Sequence, residues 1–229
     1  MEQDLQIINY DCVQTLDAEP ERRPNHWSLP PHPFRIAMIG ASMVSGKTNC
    51  LVHMLDKRVC CDTLHVITPQ QDQHKYQLLH DLAKVSEGIV FYDCVKDFDL
   101  SSLEREKTNL VVFDDVMQAT NPKDMPKVVE VFSRGRHYGA SVLLLVQSFF
   151  NGIPITVRGN CSHLMLFRVC DPRDLKRIYT AVLGGMMPLK EFEKLYHEIT
   201  STPYSFMFID LYAKDPRLRI RNNFDGYML

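Results

Sequence analysis

The sequence lacks a strong excess of charge of either sign. Its 26 lysines and arginines are nearly balanced by 28 aspartates and glutamates, so the 229 residues carry a formal net charge of −2. A chain with this balance has no overall attraction to nucleic acid. Any contact with DNA must therefore come from a local basic patch, or from a ring of subunits that presents the same patch repeatedly.

Long hydrophobic runs are also missing. No apolar stretch approaches the roughly 18 residues that a membrane-spanning helix requires. The first residues include the acids Glu2 and Asp4 and no basic segment, which is not the pattern of a secretory signal. We therefore expect no membrane span and no secretion.

The sequence has seven cysteines but no C-x-x-C pair. Cysteine pairs at this short spacing are typical of zinc sites and redox motifs. Scattered cysteines in a chain of this size favour free thiols in a reducing compartment. The sequence therefore gives little support for structural zinc.

From residue 34 onward, the sequence alternates regularly between β-rich runs and helical patterns. The predicted strands are residues 34–39, 64–68, 88–92, 109–113, 141–147, 163–168 and 204–211, and the predicted helices are residues 48–57, 74–86, 124–134, 172–182 and 188–198. Near-continuous apolar strands separated by helices predict an α/β fold, in which helices cover both faces of a mostly parallel sheet.

Composition divides the chain into three parts. Residues 1–33 are acidic and rich in proline, and we expect them to form an arm. Within this arm, packing of the Trp27 ring against the domain is favoured over its stacking on a nucleotide base. Residues 34–212 form the α/β domain. Residues 213–229 form a basic tail that either contacts DNA or a partner, or is a solvated terminus.

The most specific motif follows the first predicted strand. Residues 41–48 read Ala-Ser-Met-Val-Ser-Gly-Lys-Thr, which is the [A/G]-x-x-x-x-G-K-[S/T] pattern of a phosphate-binding loop. Backbone N–H groups of such a loop surround the nucleotide phosphates, Lys47 reaches the β- and γ-phosphates, and the Thr48 hydroxyl binds Mg²⁺. The order of strand, loop and helix is the context that the motif requires.

We assign nucleotide binding to this loop and to the residue that follows it. Ala41 occupies a position at which glycine is common, and its small side chain should keep the turn. The assigned residues are Ala41, Ser42, Met43, Val44, Ser45, Gly46, Lys47, Thr48 and Asn49.

Two acids follow the apolar strand at residues 109–113. We assign Asp114 to the Mg²⁺ ion, together with Thr48, and Asp115 to activation of the attacking water. The alternative is that both acids only begin a loop or cap the next helix. The phosphate loop favours the catalytic interpretation, because nucleotide hydrolysis needs a metal ligand and a group that positions water.

Further candidates are polar residues beyond other strands. Gln147 ends the next apolar strand, where its amide either senses the γ-phosphate and holds water or simply terminates the strand. Arg134 and Arg136 are candidates for an arginine finger that reaches the γ-phosphate of a neighbouring subunit. Contact with DNA phosphates and a solvated basic corner are the alternatives for this pair. Arg168 is a second finger candidate.

In order along the chain, these motifs resemble the DNA-packaging ATPases of large double-stranded DNA viruses. These are the poxvirus-type members of the FtsK–HerA superfamily, with relatives in virophages and in Maverick/polinton elements. The likeness covers roughly residues 33–212, and the matching stretches are residues 33–35, 67–76, 112–117, 134–137, 141–142, 147–150, 160–168, 172–174 and 203–210.

The resemblance implies a RecA-like ATPase core of the additional-strand type, with ATP and Mg²⁺ as cofactors. It also implies a ring, hexameric or pentameric, that moves double-stranded DNA into a preformed capsid and meets capsid or vertex proteins. Such a protein acts at virus assembly sites in the host cytoplasm or nucleus, or in the virion. The phosphate loop alone leaves two alternatives, a small-molecule or nucleoside kinase and a nucleotide-gated assembly protein with little turnover.

Overall fold

The structure is a computed structural model that describes residues 22–42, 45–85, 87–119, 122–151, 153–169, 171–183, 186–224 and 226–227. The expectations for Met43, for Val44 and for the arm before residue 22 lie outside these residues. No helix in the described part of the chain is long and apolar enough to cross a bilayer.

A nine-stranded sheet runs through the described residues. In spatial order its strands are β3 (Ile89–Tyr92), β2 (Thr63–Ile67), β4 (Asn109–Asp114), β5 (Ala140–Val146), β1 (Arg35–Ile39), β6 (His163–Leu166), β7 (Met207–Asp210), β8 (Ile220–Asn222) and β9 (Gly226–Tyr227). Strands β1 to β6, the parallel part, pair with one another only in parallel. Strands β7 to β9, the antiparallel extension, join β6 and one another through antiparallel pairs. The prediction of a mostly parallel sheet is confirmed.

Helices cover both faces of this sheet, as predicted. They are α1 (Lys47–Lys57), α2 (Gln77–Ala83), α3 (Val116–Ala119), α4 (Met125–Arg134), α5 (Ile155–Asn160), α6 (Pro172–Val182) and α7 (Leu189–Thr200). Helices α1 and α2 pack on one face, and α4 to α7 pack on the other. Because side chains of a strand alternate between faces, Ile36 and Met38 belong to the first core and Ala37 and Ile39 to the second.

Some elements differ from their predicted extent. The helix predicted at residues 74–86 is a 3₁₀ turn at His74–Tyr76 followed by α2. The strand predicted from residue 204 begins only at Met207, because Ser205 N–H donates to Thr202 O and closes a turn there. Helices α3 and α5 and strands β8 and β9 have no predicted counterpart, since each is too short to show a periodic pattern.

The residues on either side of the predicted domain also pack on the sheet. His26 N–H donates to Arg58 O at 2.8 Å. Trp27 is 72% exposed, so the expected packing of its ring against the domain is wrong, and the neighbouring Leu29 is buried instead. Because β8 pairs with β7, the sheet continues beyond residue 212, where the sequence suggested a basic tail. Arg221 on β8 is buried and donates to Ser28 O at 2.8 Å.

The cysteines within the described residues are unpaired. Burial raises the pKa of the thiols of Cys50, Cys61 and Cys161 to about 12. Because only the thiolate is a good nucleophile or metal ligand, these three side chains act as small apolar groups at neutral pH.

Candidate nucleotide-binding and hydrolysis site

The parallel strands bring the phosphate loop, the two acids and Gln147 to one side of the molecule. In the sheet, β5 lies between β1 and β4, with Ile39 opposite Val146 and Asp114 opposite Leu145. The carboxyl ends of these three strands therefore meet at one edge, which we call the carboxyl edge. At this edge the phosphate loop follows β1 and Gln147 follows β5, while Asp114 is the last residue of β4 and Asp115 comes directly after it.

Two glycines shape the phosphate loop. Gly46 has a φ of +80°, which residues with side chains rarely adopt. A Cβ atom on Gly40 would lie only 2.6 Å from Phe167 Cβ. The position where a side chain would clash is therefore Gly40, one residue before the motif begins. Ala41 is buried, and its methyl group is accommodated at a position where glycine is common.

The Lys47 ammonium lies within the curve of the loop. Its Nζ donates to the carbonyl oxygens of Gly40 at 2.7 Å and Ala41 at 3.2 Å, and to Ser45 Oγ at 3.3 Å. Phosphate oxygens are stronger acceptors for an ammonium than neutral carbonyls, because both partners are then charged. The loop thus holds this cation beside the position that the motif assigns to phosphate.

Thr48, in the first turn of α1, is in contact with Asp114 at the end of β4, as predicted. Thr48 Oγ1 donates to Asp114 Oδ2 at 3.4 Å, and the buried Tyr76 hydroxyl donates to the same oxygen. Burial raises the pKa of the Asp114 carboxyl; the Tyr76 hydrogen bond opposes this shift, and the nearby Asp115 charge adds to it. A hydroxyl and a buried carboxylate are oxygen ligands of the kind that Mg²⁺ prefers, so this pair fits the ion.

Asp115 stands in an unusual backbone conformation directly after β4. Its φ is +56°, which aspartate tolerates better than most residues. Gln147 Nε2 donates to Asp115 Oδ1 at 3.4 Å. The second acid and the glutamine of the neighbouring strand therefore form one polar pair, although the acid also precedes α3.

A cavity of about 290 Å³ lies between these groups. The predicted residues that line it are Ser42, Ser45, Gly46, Lys47, Thr48, Asp114, Asp115 and Gln147. Ala41 contributes its carbonyl to Lys47, as described above. Asn49 is exposed in the first turn of α1 and is not among the lining residues that the structure describes.

Three residues that received no role from the sequence also line the cavity. Gln70, Gln73 and Lys75 come from the segment after β2, whose carboxyl end lies at the same edge beyond β4. Two signals pointed to this segment: residues 67–76 carry part of the family resemblance, and they directly follow a parallel strand. Lys75 is therefore a second cationic residue in the lining of the cavity, besides Lys47.

The arginine candidates lie in two different places. Arg134 ends α4, and Arg136 follows in the 3₁₀ turn that leads into β5. Both therefore lie at the edge opposite the cavity, and the seven residues of β5 separate the edges by about 20 Å. The Arg134 guanidinium, exposed, is paired with Glu130 at 2.7 Å.

Arg168, by contrast, follows β6 at the carboxyl edge. Its carbonyl accepts a hydrogen bond from Ala41 N–H at 2.8 Å, and its side chain is exposed. Of the three candidates, it is the one beside the phosphate loop of its own subunit.

Fold and site together define the class of this protein. The phosphate loop, the acidic pair and an additional strand between β1 and β4 are the features of a RecA-like P-loop ATPase. The ATPase carries its cavity at the carboxyl ends of parallel strands, where open α/β sheets generally bind ligands.

The chain belongs to the Poxvirus A32 protein family, whose model matches residues 21–183. The family of viral genome-packaging ATPases that the sequence motifs indicated is thereby confirmed. No curated protein matches the chain in sequence.

Solved structures share the fold at low sequence identity. B204, the DNA-packaging ATPase of Sulfolobus turreted icosahedral virus, is 18% identical, with a TM-score of 0.59 over 83% of this chain and 97% of that chain. B204 of Sulfolobus turreted icosahedral virus 2, in complex with AMPPCP, is 16% identical, with a TM-score of 0.57 and the same coverage. The cytoplasmic domain of the type VII secretion ATPase EccC of Thermomonospora curvata is 14% identical, with a TM-score of 0.53 over 84% of this chain and 25% of that chain.

Proposed function

We propose that this genome-packaging ATPase is a motor that hydrolyses ATP to move double-stranded DNA into a preformed capsid. The observation that carries the proposal is the single cavity that joins the phosphate loop to Asp115 and Gln147. The membership of the chain in the Poxvirus A32 protein family directs this hydrolysis to packaging. The B204 neighbour, which shares the fold, is itself described as a DNA-packaging ATPase.

Thr48 and Asp114 are the proposed ligands of Mg²⁺. When bound, the ion would neutralise the negative charge that develops on the phosphates during transfer. The hydrogen bond from Tyr76 occupies Oδ2 of Asp114 and so fixes the rotation of the carboxylate. The other oxygen of this carboxylate is the proposed ligand of the ion.

Lys47 and Lys75, which both line the cavity, supply positive charge to the phosphates. Lys47 exchanges its present carbonyl partners for phosphate oxygens, which costs little because the loop already holds its Nζ in place. Gln147 orients the attacking water, and Asp115 accepts its proton. These residues supply every group of the proposed site except one, a further positive charge that stabilises the γ-phosphate during transfer.

That missing group is an arginine of a neighbouring subunit. Arg134 and Arg136 lie about 20 Å from the cavity of their own chain, so they act only across a subunit boundary. A closed ring, with five or six subunits, places each such edge beside the next cavity. Arg168 is the candidate that reaches the site without this arrangement.

Sequence-independent contacts to DNA phosphates provide the affinity for the duplex. The nearly neutral subunit binds DNA weakly alone, and a ring repeats the same contacts. The proposed partners are double-stranded DNA, further copies of the chain and a capsid or vertex protein. The place of action is a virus assembly site in the host cytoplasm or nucleus, or the virion.

The test is ATP turnover with and without double-stranded DNA of several lengths. DNA should raise the turnover of the wild-type chain, and Lys47→Ala should reduce it to background. Lys57→Ala, at the other end of α1 in an exposed ion pair with Asp56, is the matched control and should behave as wild type. Turnover that no length of DNA changes in an assembled ring would contradict the motor. Transfer of phosphate to a nucleoside would identify a kinase instead.

A further inference from the structure

An exposed tyrosine lies against the glycine of the phosphate loop. Tyr204 precedes β7, and its side chain is so near Gly46 that a Cβ atom there would lie 2.3 Å from Tyr204 Cδ1 and 3.3 Å from its Cβ. The residue is nevertheless 60% exposed. A large aromatic ring therefore touches the loop and turns much of its surface to solvent.

The backbone that presents this ring is strained. Ser205 N–H donates to Thr202 O, so residues 202–205 form a β-turn with Pro203 in its second position. Tyr204 occupies the third position with a φ of +67°, where glycine or asparagine is the usual residue. A bulky side chain kept in the left-handed region is a reason to look for a function.

The antiparallel extension fixes the base of the turn. The backbone N–H of Phe206 donates to Asn223 Oδ1 at 2.9 Å, and the Asn223 N–H donates to Phe206 O at 2.9 Å. The Phe206 ring itself is buried, with its centroid 4.9 Å from that of Phe167. Held on this buried neighbour, the turn can direct Tyr204 outward without moving.

Tyr204 and the acidic pair lie on opposite flanks of the phosphate loop. Asp115 and Gln147 follow strands on the β5 side of β1, whereas the turn at Tyr204 leads into β7, beyond β6 on the other side. A nucleoside triphosphate is an elongated molecule with the γ-phosphate at one end and the base at the other. With the γ-phosphate at Asp115, the base falls on the flank of Tyr204.

We infer that Tyr204 is the platform on which the nucleobase stacks, an assignment that rests on the proposed function. Stacking uses the π-face that every base has, and a single aromatic ring does not read the hydrogen-bonding edge. Tyr204 therefore contributes affinity for a nucleoside triphosphate without selecting adenine. The phenyl ring, rather than the hydroxyl, is the part that matters.

The experiment compares two ligands, ATP and inorganic tripolyphosphate, which lacks the base. Calorimetry on the wild-type chain should give tighter binding for ATP. Tyr204→Ala should weaken ATP binding by about tenfold while changing tripolyphosphate binding less than about twofold. Tyr204→Phe should bind both ligands as wild type. Tyr212→Ala is the matched control, because this equally exposed tyrosine follows the other end of β7.

An equal loss for the two ligands in Tyr204→Ala would overturn the inference, because the ring would then only support the loop. The inference would also fail if the wild-type chain bound ATP no more tightly than tripolyphosphate. If DNA still stimulated hydrolysis in that case, the proposed function would stand without the platform. Conversely, a base-dependent loss in a chain that DNA does not stimulate would keep the platform and contradict the motor.

Discussion

The parallel part and the antiparallel extension contribute to the cavity in different ways. In the parallel part, Asp114 is the last residue of β4, Gln147 directly follows β5, and Lys47 begins α1 after the phosphate loop that follows β1. In the extension, Tyr204 reaches the loop through a strained turn whose base is held by Asn223. The proposed catalytic residues are therefore positioned by the ends of parallel strands, whereas the contact of Tyr204 with the phosphate loop depends on the geometry of a turn.

The extension has a structural role as well. Strand β7 pairs along the whole of β6, so β6 presents no open edge although it is the last parallel strand. Arg221 of β8 donates to Ser28 O and Phe224 O and lies over the ring of Phe208. This buried guanidinium joins the extension to the segment before β1. We therefore expect changes in the parallel part to affect turnover and changes in the extension to affect stability or binding.

The largest effect on turnover should come from the arginines of the opposite edge. Loss of an arginine finger lowers kcat by about 10³ or more, so Arg134→Ala or Arg136→Ala should do so if that residue reaches a neighbouring site. Mixing this variant with Lys47→Ala should restore activity, because a ring then holds intact sites beside intact arginines. Turnover measured in such mixtures tests the arrangement. No recovery on mixing, together with inactivity of Arg168→Ala, would move the role to Arg168.

Asp115→Asn should lower turnover by a factor on the order of 10², the lower range for losing a general base, with little change in ATP binding. The amide keeps a polar contact to Gln147 but cannot take a proton from water. Single-turnover kinetics and calorimetry separate these two quantities. Hydrolysis at the wild-type rate would return Asp115 to the alternative role of a residue that only begins α3.

Arg221→Leu should lower the free energy of unfolding by about 3 kcal/mol, because two buried carbonyls lose a charged donor. Chemical denaturation measures this quantity, and the kcat of the remaining folded protein should not change. Arg217→Leu, which removes an exposed arginine paired with Asp215, is the control and should have almost no effect. A fall in kcat for Arg221→Leu would break the division between the two regions.

The last effect concerns pH and two buried histidines, His65 of the parallel part and His163 beside the extension. Burial lowers the pKa of each from 6.5 to about 4. Between these values the unfolded chain binds more protons than the folded one, so the free energy of unfolding should decrease as the pH falls from 6.5 to 4. The expected loss is about 1–3 kcal/mol for each histidine. His65→Phe should reduce the slope of unfolding free energy against pH, and an unchanged slope would contradict the assignment.

Much of the parallel part could be predicted, because strongly apolar strands and the residues that follow them form a simple pattern. The phosphate loop, the acids and Gln147 were found in this way. Lys75 received no role, because the resemblance marks its segment as a whole and no local pattern distinguishes that side chain. Tyr204 was missed for a different reason: a positive φ in a residue other than glycine leaves no signal in the sequence.

The extension was harder to predict because its strands are short. Strand β8 has three residues, and the arginines around it resemble a solvated basic tail until the pairing with β7 is known. The burial of Arg221 is likewise set by Ser28, which lies 193 residues earlier in the chain. Contacts over such separations follow from topology rather than from any local pattern.

The position of β5 has a mechanical consequence. This strand is buried throughout, is bonded on both sides, and runs from the turn with Arg136 at one end to Gln147 at the other. A fully extended, doubly bonded strand can hardly be stretched or compressed along its axis. The turn with Arg136 and Gln147 therefore keep a constant separation across the sheet. A displacement of either end of β5 is shared with β1 and β4 through the hydrogen bonds on both sides.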